Sequence, residues 1–184
     1  TYTPSAKLDL DTNTGTVTAR PTIRGCASDG TDDGTVATIS GSSTSSSTTL
    51  IQIANGIDYL RLGNLRITAS KNYGIDSNSN SCVLKNVRVD NAVSHGIYQQ
   101  TISDYMTLIG CELDNNGGAG WTGPFTTRGN LMMQGGAVHH NASFGLRLAT
   151  LGQLHGVCIY KNGSHGIALD LNSTTISVIR IQEC

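Results

Sequence analysis

Three short signals recur in a fixed order along the chain, and their spacing constrains the fold more than any other feature. The first is a short apolar segment behind Asn or Gly: Leu65-Arg66-Ile67 after Asn64, Val87-Arg88-Val89 after Asn86, Cys111-Glu112-Leu113 after Gly110, and Val157-Cys158-Ile159 after Gly156. Val178-Ile179-Arg180-Ile181 repeats it once more. The second is an asparagine behind the strand segment: Asn91, Asn115, Asn141 and Asn162, at intervals of 24, 26 and 21. The third is Gly before an apolar residue: Gly74-Ile75, Gly96-Ile97, Gly120-Trp121, Gly145-Leu146 and Gly166-Ile167, at intervals of 22, 24, 25 and 21. No stretch keeps a helical period, and the fixed leucine pattern of leucine-rich repeats is absent. The unit length suits three short strands and three turns. The sequence therefore predicts an all-β fold, a right-handed parallel β-helix solenoid of seven or eight coils of 21–26 residues. Equivalent side chains then stack in columns about 4.8 Å apart. The asparagines form an amide ladder, and the glycines allow left-handed turns.

One domain is expected over 1–184, with 1–56 as irregular first coils and 57–184 as regular repeats. Within the first part, Thr16-Val17-Thr18, Pro21-Thr22-Ile23-Arg24 and Val36-Ala37-Thr38-Ile39 alternate as strands do. The segment 41–49 is nearly all Ser and Thr and reads as a loop, and a strand resumes over 49–53. Asp29, Asp32 and Asp33 lie in a turn-rich stretch without EF-hand spacing.

Composition narrows the function classes. Charged residues make up 14% and the net charge is −1, so the global field favours neither nucleic acid nor an anionic membrane. No apolar run is long enough for a membrane span. The five cysteines include no CxxC pair, which argues against zinc, and they read as small buried hydrophobes of the strand core.

Cys82-Val83-Leu84-Lys85-Asn86-Val87-Arg88-Val89-Asp90-Asn91, followed by Ser94-His95-Gly96-Ile97, is a unit that resembles the pectate-lyase-like superfamily of right-handed β-helices. The likeness runs best from Asp58 to Cys184. The start, Thr1-Tyr2-Thr3, is similar to the Gly-Thr-Tyr-Thr turn that opens many such domains, without its Gly. Tyr73-Gly74-Ile75-Asp76 resembles the Tyr-Gly-Phe-Asp part of the alginate C5-epimerase motif, with Ser77 and Asn78 where that family has Pro-His. The resemblance implies an extracellular, virion-surface or cell-surface protein. It also implies capped solenoid ends, and so a piece of a longer protein or ends covered by other chains. Superfamily members include lyases, hydrolases, tailspikes and adhesins, and fold does not choose among them.

Column geometry nominates two sites. The residues before the ladder asparagines are Asp90, Asp114, His140 and Lys161, on successive coils. Two carboxylates about 5 Å apart raise each other's proton affinity or share a cation such as calcium, and His and Lys can move protons. That layout suits a lyase acting on an acidic glycan; its plain alternative is a polar turn row. The residues beside the Gly marker, Asp76, Tyr98, Thr122 and Arg147, with Trp121, offer rings for sugar stacking and an arginine for an acidic group. Arg66, Arg88 and Glu112 form a third row that reads as a solvated ladder. His95 and His165 share a column three coils apart and cannot share a metal; His139 and His140 point to opposite sides of a strand. No metal site is expected. Gly118-Ala119-Gly120-Trp121-Thr122-Gly123 matches GxGxxG without strand–helix context, and the sequons at Asn141 and Asn162 read as turn chemistry. A third sequon begins at Asn172. Two functions follow. One is a polysaccharide-processing or polysaccharide-binding β-helix. The other is a non-catalytic structural or adhesive module of a tailspike, fibre or surface protein, whose partners include other copies of the chain.

Overall fold

The computed structural model describes residues 1–4, 6–10, 21–26, 34–45, 47–100, 105–123, 130–148 and 152–169, and the backbone of 179–182. The strand expected at 16–18, the acidic turn at 29–33, the sequon at Asn172 and Cys184 lie outside these residues. In chain order the strands are β1 (Leu8–Leu10), β2 (Thr22–Arg24), β3 (Ala37–Ser40), β4 (Ile51–Ile53), β5 (Leu60–Thr68), β6 (Ile75–Ser77), β7 (Ser81–Asp90) and β8 (Ile97–Gln99). They continue as β9 (Tyr105–Asp114), β10 (Trp121–Thr122), β11 (Asn130–His139), β12 (Leu146–Leu148), β13 (Gly152–His155), β14 (Cys158–Tyr160), β15 (Ile167–Leu169) and β16 (Ile179–Gln182).

Every strand pair is parallel, and from β3 to β13 successive strands alternate between two sheets. One runs β1-β4-β6-β8-β10-β12-β15, the other β16-β13-β11-β9-β7-β5-β2, with β3 also on β5 and β14 on β11. This is a parallel β-solenoid. No helix occurs among the described residues, and none is long and apolar enough to cross a membrane.

The Gly-apolar signal sets the first column. Ile75, Ile97, Trp121, Leu146 and Ile167 are in register, and the first four are fully buried. Leu62, Leu84, Leu108, Met133 and Leu154 form a column in the other sheet. Each buried aliphatic side chain contributes about 2 kcal/mol, so the core alone favours this register. A one-residue slip would turn every such column outward.

Strands β5, β7 and β9 each serve two faces because a left-handed residue bends them midway. Asn64, Asn86 and Gly110 have φ of 50°, 53° and 59°, and Gly156 has 61°. These are the residues flagged ahead of the apolar segments. Asn tolerates this conformation better than other side-chain-bearing residues, and Gly adopts it without steric cost. A second left-handed corner closes the long strands at Ala69, Asn91, Asn115, His140 and Lys161, with φ between 51° and 57°.

Three expectations are corrected. The amide ladder is Asn116, Asn141 and Asn162. Asn116 Nδ2 donates to Asn141 Oδ1 at 2.9 Å, and Asn141 Nδ2 to Asn162 Oδ1 at 3.0 Å. The same Nδ2 atoms donate to the carbonyls of Val89 and Leu113. Asn91 and Asn115 sit one place earlier, in the corner, because the pair Asn115-Asn116 supplies one residue to each role. The described residues form about five coils rather than seven or eight, because β1, β2 and β3 add partial rungs beside β4 and β5 and much of 41–49 forms turns. Finally, Cys82 and Cys111 are buried, and burial pushes their thiols up to about 12 and about 11, but Cys26 and Cys158 are exposed. Cys158 falls on the outward row beside Ala137, where a core role is closed to it.

Candidate functional site

The expected catalytic column is only half assembled. Asp90 and Asp114 are in register, but the next residues in their row are His139 and Tyr160. His140 and Lys161 belong to the left-handed corner one residue on. The interval of 26 between Asn115 and Asn141 exceeds the coil length there by one, and the slip carries His140 with it. His140 reaches the row through His139, their Nδ1 atoms being 2.8 Å apart, and through an edge contact with the Tyr160 ring.

Both carboxylates face outward yet have no exposed surface, because two arginines lie over them. Arg66 Nε and Nη2 donate to Asp90 at 2.7 and 3.2 Å. Arg88 Nε donates to Asp114 at 3.0 Å and its Nη2 at 2.7 Å, and Nε also lies 3.0 Å from Asp90. Thr68 and Asn91 donate further bonds to Asp90. Burial alone pushes the Asp90 carboxyl up, but the bonds from Arg66, Thr68 and Asn91 outweigh it and hold the group below the ordinary carboxylate range. The third row, expected to be a solvated ladder, is thus the lid of the acidic one.

Glu112, Asp114 and His139 bring ligand atoms within 4.8 Å of one another. His139 Nε2 is 3.0 Å from Glu112, and its ring stacks on Tyr160 with centroids 4.7 Å apart. The Arg88 guanidinium pairs with both carboxylates of the group, so the positive charge is supplied by protein.

The second predicted row forms in full register: Asp76, Tyr98, Thr122 and Arg147 stand on consecutive strands. Trp121 is not part of it. As the residue after Gly120 it points inward and is fully buried, so it stacks on no ligand. Asp76 accepts from Gln100 Nε2 at 2.7 Å, and burial raises its carboxyl. Arg147 lies 5.7 Å above the Phe144 ring. Sequence reasoning placed His95 and His165 in the column ahead of the marker Gly but missed that Tyr73 and Phe144 join them as rings, with Ala119 between. Tyr73 stacks on Tyr98 at 4.7 Å and on His95 at 5.7 Å, and Phe144 on His165. The rings cover one another's flat faces and turn their edges to water. Ala119 N–H donates to His95 Nδ1 at 2.9 Å; burial and the Arg147 charge lower this imidazole. The column staples coils together and leaves little ring face for a sugar.

A groove lies elsewhere, on the first half of the long strands, before the left-handed bend. It has a volume of about 500 Å³. Val83 and Ile109 give it an apolar floor, Asn64 and Asn86 supply amides, and Arg24, Arg61 and Lys85 supply charge. Asn86 Nδ2 donates to Asn64 Oδ1 at 3.3 Å, so the amides run as a short ladder along the groove. The signal for it was the Asn64/Asn86 repeat, read only as the marker ahead of each apolar segment. The groove has the size and the mixed lining of a small-ligand cleft. No family model, curated protein or solved structure matches the chain.

Proposed function

We propose that the protein is a polysaccharide-binding β-solenoid that holds a glycan without cleaving it. The observation that carries this reading is the groove, where an apolar floor, an amide pair and unburied cations lie along the solenoid axis. Sugar rings present an apolar C–H face and a rim of hydroxyls. Val83 and Ile109 suit the first, and the Asn64 and Asn86 amides suit the second. The groove reaches from β2 across β5 and β7 to β9, so it follows a polymer running along the stack.

Cleavage by the Asp90 and Asp114 row finds less support. A general acid or base must come within hydrogen-bond reach of substrate. Both carboxylates are enclosed, and arginines take their lone pairs.

Affinity electrophoresis against a panel of neutral and acidic polysaccharides tests the reading. The expected result is retardation by at least one glycan, with no change in that glycan's chain length or unsaturated-product absorbance after long incubation. Absence of retardation across the panel overturns it. So does depolymerisation that Asp114→Asn abolishes, which would instead establish a lyase.

A further inference from the structure

Asparagine directly precedes glycine at three places in the chain: Asn55-Gly56, Asn116-Gly117 and Asn162-Gly163. Such a pair is chemically labile wherever the backbone can bend. The glycine nitrogen can then reach the side-chain carbonyl carbon of the asparagine, and glycine has no Cβ to hinder the approach. The solenoid locks two of the three. Asn116 Nδ2 and Asn162 Oδ1 are held in the amide ladder. Gly117 N–H donates to the Ala92 carbonyl and Gly163 N–H to the Asn141 carbonyl, each at 2.8 Å. A Cβ on Gly117 would lie 2.1 Å from the Val93 carbonyl oxygen, and one on Gly163 2.3 Å from that of Ala142. Both glycines are wedged against the preceding coil.

Asn55-Gly56 stands outside that lattice, in the turn from β4 to β5. Ile57 N–H donates to the Ala54 carbonyl oxygen at 3.3 Å, and Gly56 has a φ of 90°. These match a type II β-turn with Asn55 and Gly56 at its centre. Asn55 is exposed, and nothing lies within 4 Å of the Cβ position on Gly56. Neither the Asn55 side chain nor the Gly56 N–H has a hydrogen-bond partner among the described residues. The two groups that must meet are unengaged, and the glycine has room to turn toward the side chain.

We infer that Asn55 is a self-modification site, at which the folded protein converts a side-chain amide to a carboxylate. The Gly56 nitrogen gives its proton to hydroxide and attacks Cγ of Asn55. The Cγ–Nδ2 bond breaks, ammonia leaves, and a five-membered succinimide remains. Water then opens the ring at either carbonyl. One product is aspartate at position 55. The other is isoaspartate, in which the main chain runs through the former side-chain carbonyl and is one carbon longer. Nothing is oxidised or reduced, and water is the only co-reactant. Either product adds one negative charge to a chain whose net charge is −1. The new charge stands three residues ahead of Asp58, whose carboxylate accepts from Asn80 N–H and Nδ2 at 3.1 and 3.2 Å. Loss of ammonia makes the step irreversible, so this turn records the age of each chain, whether or not the groove takes a glycan.

Peptide mass mapping of the folded protein, after incubation at mildly alkaline pH, tests the inference. Cleavage at Arg24 and Arg61 releases the segment 25–61, whose single asparagine is Asn55. That peptide should gain about one mass unit as amide becomes acid. Asn55 should convert at least about tenfold faster than Asn116 or Asn162, because locked pairs react only through local opening. In denaturing urea the three should convert at comparable rates, which would assign the difference to the fold. A higher incubation pH should speed the reaction of Asn55, since the attacking nitrogen must lose its proton. Asn55→Gln, whose longer side chain closes a six-membered ring far more slowly, should suppress the gain and leave the melting temperature unchanged. Equal conversion of all three pairs in the folded protein, or no gain on 25–61, overturns the inference. So does a gain on 25–61 that persists in Asn55→Gln, since Gln52 would then be the reacting amide.

Discussion

The long strands carry cations on both sides of one bend, and the two sides behave differently. Beyond Asn64 and Asn86, Arg66 and Arg88 lie flat over Asp90 and Asp114, and every carboxylate oxygen of those two aspartates is engaged. Before the bend, Arg61 and Lys85 line the groove with no acid among its described residues. The fold, the strands and the outward direction are the same; only the pairing differs. A column of like residue types is therefore no sign of a site on a solenoid. What marks one is a repeated charge whose partner is missing from the next rung.

The closed side should be the costlier to disturb. Arg88→Ala leaves Asp114 buried with Asn115 as its remaining side-chain donor among the described residues. Removing one member of a buried pair costs several kcal/mol, and water at the half-exposed guanidinium brings the expected loss to about 2 kcal/mol. Urea denaturation at neutral pH measures it; a loss below about 0.5 kcal/mol, the range of ordinary surface changes, would place this side with the open one. The pH dependence has a definite sign. Asp90 is held below its ordinary value, so its bonds stabilise the fold fully above the unfolded pKa near 3.8 and lose that contribution as pH falls through the lower, folded value. The penalty of Arg66→Ala should accordingly be full at pH 7 and shrink below pH 3.8.

How much of this was legible in the sequence depended on which signal was counted. The Gly-apolar intervals of 22, 24, 25 and 21 reproduce the true register, from Ile75 through Ile97, Trp121 and Leu146 to Ile167. A Gly packed against the next coil, as Gly96 is against Gly120, has no freedom to slip. Asparagine is ambiguous, because it suits both the left-handed corner and the ladder inside it. The 26 between Asn115 and Asn141 disagreed with the 25 between Gly120 and Gly145, and that mismatch already held the correction to His139. Pairing across rungs was not legible. Arg88 meets Asp114 through side chains displaced by one strand and two positions, which spacing along the chain does not report. The inward turn of Trp121 followed from the register itself, since it stands in the isoleucine column.

The bend that separates the two sides should be the next most sensitive element. Asn86→Ala places a residue with a Cβ, and without a local amide, at a φ of 53°. The left-handed conformation costs an alanine about 1 kcal/mol. Asn86→Gly relieves that strain while losing the same bond to Asn64, so it should be nearly neutral. Thermal melts of the two variants separate conformation from hydrogen bonding. Equal losses would assign the bend to the amide ladder instead.

The smallest effect on stability should come from the open side, and that is where the comparison is sharpest. Lys85→Ala and Arg61→Ala remove exposed cations whose side chains have no partner among the described residues. A cation without a partner among the described residues gains nothing by pairing, and Arg61 and Lys85 line the same groove as like charges that repel each other. Each substitution should therefore shift unfolding by less than about 0.5 kcal/mol, with a tilt toward greater stability that fades as salt screens the repulsion. Denaturation of both variants at low and high ionic strength reads the size and the sign together. A salt-sensitive loss would mean that the cations already hold an acidic group of the chain itself, and the open side would then be a second closed one.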